Sequence, residues 1–399
     1  MAPGKAQQGP GHDQGKRIQV VVLVSTLVMG GAEQMLMALL QGLNRERFQV
    51  LVYFLKEPGI LGQEIPKLGY PIRTNILKGY GDIAVIPRLA RLLIKDRADI
   101  VLLLNHRDTI FFGVTAAKLA GVRGVINWHH DTAKRYSMHR LTMLGRRVFH
   151  LLGVDRVVAV AQGHKEYLIK SEGISRSKIE VIYNGVNPEK CHSSLTVSEA
   201  KRRLGIPLES LVVSMISVLR PDKAHDVLLQ AAKIVLRDFP TAYFIIVGDG
   251  PRKGALEDLA KGLGLAGHVL FLGFRRDIAD ILRAVDINVL STKPEQETLS
   301  VAVIEAMAAG IPSVCTDVGF MREIVHSGEN GFLVRLGDPQ DLAQKIMVIF
   351  GDEELRRKMG AASQKAVQAG LTVKQMVTGF ENLFCTLAGD SQVERIQPC

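Results

Sequence analysis

Short β-branched apolar runs alternate with helical patterns along this chain, and they do so twice over. The first series predicts strands at Ile18–Ser25, Gln49–Phe54, Ile100–Leu104, Gly124–Trp128, Arg156–Val160 and Ile179–Ile182. The second predicts strands at Leu211–Ser217, Ala242–Val247, Val269–Leu272, Ile287–Leu290 and Ser313–Cys315. Such alternation means βαβ units, hence parallel sheets covered by helices on both faces. At 399 residues the chain exceeds one ordinary domain, and two cores of roughly 180 residues each are expected.

The boundaries follow from composition. Residues 1–16 are rich in Gly, Gln and Pro and are expected to be disordered. An N-terminal Rossmann-like domain is expected over 17–190 and a second over 191–371. The join is placed between the turn cluster Asn184-Gly185-Val186-Asn187-Pro188 and the polar stretch from His192 to Ser198. A last helix, about Thr372 to Leu387 within a segment 372–399, follows completion of the second sheet and is expected to return toward the first domain. Lys16-Arg17 followed by Ile18–Met29 imitates a signal peptide. However, the valine-rich run continues into Gly30-Gly31-Ala32-Glu33-Gln34 and an apolar helical pattern, the order of strand, turn and helix. No run of eighteen uninterrupted apolar residues exists, so no transmembrane span is expected.

Hydrophobic residues make up 47% of the chain and charged residues 23%, which excludes a disordered or fibrous class. Four scattered cysteines, Cys191, Cys315, Cys385 and Cys399, form no Cys-x-x-Cys pair, which points to a reducing compartment and away from structural zinc. The net charge of +10 calls for an anionic partner. With a single Trp and no zinc-finger or RNA-binding signature, nucleic acid is not expected. Anionic lipid headgroups fit Arg88, Arg91, Lys95 and Arg97, then Lys134, Arg135, Arg140, Arg146 and Arg147, unless these are simply solvated helix faces.

Chemistry concentrates near Glu297 and Glu305, which have seven residues between them. Ser300–Ala309 lacks Gly and Pro and is apolar all round, so it predicts a buried helix. Glu297 then lies in the loop before it and Glu305 about two turns inside, a poor place for a carboxylate unless a ligand meets it. Between them the first-turn amides around Leu299 and Ser300 form an anion site. Gly30-Gly31 at a strand-to-helix turn lets backbone approach a phosphate, or simply makes a tight turn. Val247-Gly248-Asp249-Gly250-Pro251 is a second such turn, but it lacks the third glycine of a dinucleotide fingerprint and no Walker loop exists. His130-Asp131 ends a predicted strand, where the pair could orient or deprotonate a hydroxyl or the histidine could be capped by its neighbour. Arg220 and Lys223, ahead of a helix, could neutralise a diphosphate leaving group or could be surface charge. No Asp-x-Asp occurs, so neither a metal clamp nor a cofactor is expected.

Taken in order, these segments resemble the family-4 retaining glycosyltransferases of GT-B fold over residues 18 to about 387. The matching pieces are Gly30-Gly31-Ala32-Glu33, His130-Asp131, Val158-Ala159-Val160, Asn184-Gly185-Val186, Lys223 with His225-Asp226-Val227-Leu228, Val247–Pro251, Glu297 to Glu305, and Thr316-Asp317-Val318-Gly319. The resemblance implies two Rossmann-like domains facing each other across a cleft. It also implies metal-independent transfer of a hexose-type sugar from a nucleotide diphosphate sugar, UDP-linked for preference, with anomeric configuration kept. By that resemblance Glu297 holds hydroxyls of the donor sugar, and Glu305 the ribose. Leu299 and Ser300 amides with Lys223 meet the diphosphate, Gly30-Gly31 completes the phosphate pocket, and His130 faces the reacting carbon and acceptor. Four departures stand out: Val218 where an arginine is common, Ala224 where glycine follows the lysine, Thr298-Leu299-Ser300 in place of a glycine-containing triplet, and Phe320 in place of a second glycine. Ala224 is expected to deny its turn free use of positive φ. The acceptor implied is a glycan, lipid-linked or surface-polysaccharide precursor, met at the cytoplasmic face of the membrane. Two other readings compete, a non-catalytic nucleotide-sugar-binding subunit and a nucleotide-sugar epimerase of the same architecture.

Overall fold

The computed structural model describes residues 17–28, 30–79, 81–104, 107–132, 153–294 and 297–390. The expected disorder of residues 1–16, the basic cluster from Lys134 to Arg147, and Cys399 all lie outside the described residues.

Two parallel sheets carry the chain. The first holds β1 (Ile18–Val24), β2 (Phe48–Phe54), β3 (Ile72–Arg73), β4 (Ile100–Leu104), β5 (Gly124–His129), β6 (Arg156–Ala159) and β7 (Ile179–Val181) in the order β3-β2-β1-β4-β5-β6-β7. The second holds β8 (Val212–Ile216), β9 (Tyr243–Val247), β10 (Val269–Gly273), β11 (Ile287–Leu290), β12 (Ser313–Thr316) and β13 (Gly331–Val334) in the order β10-β9-β8-β11-β12-β13. Each is doubly wound, reversing direction beside its first strand. The central strands are buried on both faces, β4 throughout its five residues, which is why they read as continuous apolar runs. Two strands have no counterpart among those expected from sequence. β3 has two residues and β13 four, too short for a pattern to stand out from the loops beside them.

The chain crosses between the lobes twice, and the crossings touch. The Val186 amide donates to Leu371 O at 2.9 Å and the Val373 amide to Val186 O at 2.8 Å. Gly185 is needed here because a Cβ would collide with the Thr372 carbonyl. Helix Val373–Ala388 then packs on the first lobe. Phe380 lies against Trp128 with ring centroids 4.5 Å apart, and Phe384 meets Phe48 at 5.7 Å. Thr372 starts that helix with a capping box closed by Gln375. One apolar cluster runs from Val20, Val22 and Leu36 of the first lobe through Phe380 to Leu299, Ile304 and Met321 of the second.

Candidate active site

The second sheet reverses order between β8 and β11, and the loops leaving their carboxyl ends diverge there to open a crevice. This brings together two residues far apart in sequence. Lys223 closes the Pro221–Lys223 turn after β8, and Glu297 follows β11. The Lys223 ammonium donates to Glu297 Oε2 at 2.7 Å, with side chains 13% and 14% exposed. At that burial the pair is a charge-assisted bond only partly screened by water. Ala224 overturns one expectation, since it adopts φ 51° and ψ 43° and the turn does use the left-handed region. Ser291 Oγ holds it there by donating to Ala224 O at 2.9 Å. Arg220 is turned onto Asp222, donating through Nε at 3.1 Å and through its terminal nitrogen at 2.9 Å. Its guanidinium therefore reaches the crevice only by leaving that local partner.

Helix Val301–Ala308 has Ser300 at its N-cap. Leu299 and Ser300 are buried, and their amides donate to no acceptor among the described residues. They join the free first-turn amides of the helix in one donor cluster beside Glu297. Glu305 sits in the second turn, shallower than expected, and its carboxylate accepts no hydrogen bond among the described residues. Burial alone pushes its carboxyl up to about 7. A pair of hydroxyl donors is the natural complement for such a group. Gly248, at φ 133°, ends β9 where a Cβ would strike the Ser217 carbonyl, so it sets how closely the β8 and β9 loops approach. Burial and the nearby Lys223 charge push His225 down to about 4, and its Nε2 lies 3.0 Å from Ser217 Oγ.

Across the crevice, Gly30 is the extended N-cap of helix Gly31–Gly42. A Cβ on Gly31 would come within 3.6 Å of Val301 Cγ2, so the first-lobe turn faces the second-lobe helix start. His130 and Asp131 leave β5, with the His130 ring against Trp128 at 4.7 Å. The Asp131 carboxylate lies 3.6 Å from His129 Nδ1, and His129 Nε2 lies 3.5 Å from Glu172, so Asp131 faces the buried preceding histidine as well. Among the described residues no group of three or more His, Cys, Asp or Glu is placed to hold a metal ion.

Two family models match this chain. The one described as Glycosyltransferase Family 4 covers residues 29–190, and Glycosyl transferases group 1 covers 197–366. The chain belongs to the family-4 glycosyltransferases. It is 29% identical over 76% of its length, and 79% of the relative's, to the Escherichia coli UDP-Gal:alpha-D-GlcNAc-diphosphoundecaprenol alpha-1,3-galactosyltransferase. It is 30% identical to the Bacillus anthracis N-acetyl-alpha-D-glucosaminyl L-malate synthase over 55% of this chain and 56% of that protein. The crystal structure of Anabaena HepE in complex with UDP-glucose superposes with a TM-score of 0.81 at 23% identity, covering 93% of this chain and 100% of that one. That likeness establishes the GT-B fold.

In this glycosyltransferase the residues that sequence reasoning missed are those joining the lobes. Thr298 Oγ1 donates to the His130 carbonyl at 2.6 Å. The Phe320 ring stacks on His164 with centroids 5.4 Å apart and planes at 24°. Glu323 accepts from the Gly163 amide at 2.6 Å, the Gln162 amide at 2.9 Å and the Tyr183 hydroxyl at 2.6 Å. Thr298 and Phe320 carried a signal, since Thr298 opens the triplet that stands in place of a glycine-containing one and Phe320 replaces a common second glycine. Glu323, His164 and Tyr183 carried none, because their roles arise only where two separate sheets meet.

Proposed function

We propose that this glycosyltransferase transfers a hexose-type sugar from a UDP-sugar to a lipid-linked or surface-polysaccharide precursor, with retention and without a metal. The observation that carries it is the Lys223–Glu297 pair at the second-sheet crevice, beside the buried amides of Leu299 and Ser300. In this reading those amides and the Lys223 ammonium take up negative charge as the sugar–phosphate bond breaks toward the diphosphate. Glu297 meets sugar hydroxyls and Glu305 the ribose, while His130 brings the acceptor side to the anomeric carbon. The E. coli relative's name specifies a UDP-galactose donor and a diphosphoundecaprenol acceptor, which supports a lipid-linked acceptor here. A peripheral place on the cytoplasmic membrane face is supported by the exposed Ile83, Ile94, Arg91 and Lys95 on and beside helix Val85–Lys95.

Calorimetric titration with UDP-, GDP- and ADP-sugars tests the reading, with binding of a UDP-sugar expected. A folded sample that binds none of them would remove its support. Lys223→Ala should lower turnover about a hundred-fold or more, by analogy with loss of a preorganised charge at a developing anion. Unchanged turnover would leave a binding subunit as the better account.

A further inference from the structure

The contacts between the lobes form a closed circuit around two consecutive peptide carbonyls. Thr298, the residue after Glu297, donates its hydroxyl to the His130 carbonyl at 2.6 Å. Its own carbonyl accepts from the Phe320 amide at 2.9 Å. The Phe320 ring lies on the imidazole of His164. His164 Nδ1 accepts from the Val160 amide at 3.3 Å, which leaves the proton on Nε2, and Nε2 donates to the Asp131 carbonyl at 3.1 Å. Thr298 is 92% buried and His164 fully so, and water therefore competes poorly for either bond.

We propose that Thr298 is a positioning residue that couples the donor-side loop at Glu297 to the His130–Asp131 turn of the opposite lobe, with His164 and Phe320 completing the circuit. This rests on the donor-site reading above and deepens it. A donor engaging Glu297 and the Leu299 and Ser300 amides orders the backbone on both sides of Thr298. Its hydroxyl carries that order across the cleft to the peptide that aims His130. Thr298 touches neither sugar nor phosphate in this scheme, and its effect falls on the transfer step rather than on donor affinity.

Thr298→Val keeps the side-chain volume and removes the donor hydroxyl, whereas Thr298→Ser keeps the hydroxyl. Hydrogen–deuterium exchange of segment 124–132 should quicken about ten-fold in Thr298→Val and return to the wild-type rate in Thr298→Ser, with Phe320→Ala loosening the same segment. Turnover of UDP-glucose to UDP should fall about ten- to a hundred-fold in Thr298→Val, as expected for a misplaced reacting group, while the UDP dissociation constant stays within about two-fold. Wild-type protection of 124–132 in Thr298→Val would overturn the proposal, as would a loss of UDP affinity equal to the loss of turnover. The exchange measurement needs no donor. If the wild-type protein binds no UDP, the donor reading fails and exchange alone decides the coupling.

Discussion

At the scale of single residues, Glu305 shows how a site can oppose stability. Its carboxyl is pushed up to about 7 by burial, whereas in the unfolded chain it returns to the ordinary value of 4.5. Between those values the folded protein holds more protons than the unfolded one, so this group's contribution to stability falls as pH rises through the window and is fully unfavourable above it. Glu305→Gln removes the effect. Chemical denaturation of the two proteins should give similar midpoints near pH 5. By pH 8 the variant should be ahead by about 3 kcal/mol. The same substitution should weaken UDP binding, since a carboxylate accepting two hydroxyls gives way to an amide. A variant no more stable than the parent at pH 8 would mean that Glu305 is paired or hydrated in solution.

At the scale of elements, the long buried strands and the helix at Val301–Ala308 are legible because burial on both faces, or all round, leaves an unbroken apolar run. The short β3 and β13 are not, since pairing with β2 and β12 rather than their own pattern makes them strands. The Lys223–Glu297 meeting is legible only through family order, because strand adjacency across the switch point is invisible in local sequence. The turn at Ala224 runs against its residue type. A non-glycine residue in the left-handed region costs about 1–2 kcal/mol, and the chain accepts this where Ser291 and the β8 loop over-determine the backbone. Ala224→Gly relieves that strain but adds about 0.5–1 kcal/mol of backbone entropy to be lost and removes a buried methyl. A buried methyl is worth about 0.8 kcal/mol, so gain and losses nearly balance, and the variant should stay within about 1 kcal/mol of the parent, read from the denaturant midpoint. A variant destabilised by more than that would show that the methyl contact outweighs the strain.

At the scale of the whole molecule, each sheet closes a core of its own on one face, around Val21 and Leu103 in the first lobe and around Val213 and Phe244 in the second, and the two also share a cluster running from Val20 through Phe380 to Met321. Its continuity depends on the last helix, which belongs by chain order to the second lobe and by contact to the first. Phe380 is fully buried there against Trp128 and Phe384. Truncating it to Ala should cost about 3–5 kcal/mol, the range for an aromatic side chain lost from a packed interior. If the shared cluster makes the lobes one cooperative unit, the variant will melt in a single transition moved down by about 5 °C or more, and signals from both lobes will move together. If the lobes unfold separately, calorimetry will split the endotherm and leave the half belonging to the second sheet in place. The first outcome is expected because the two crossings are hydrogen-bonded to each other at Val186, so loosening the helix at Phe380 also loosens the joint on which one lobe meets the other.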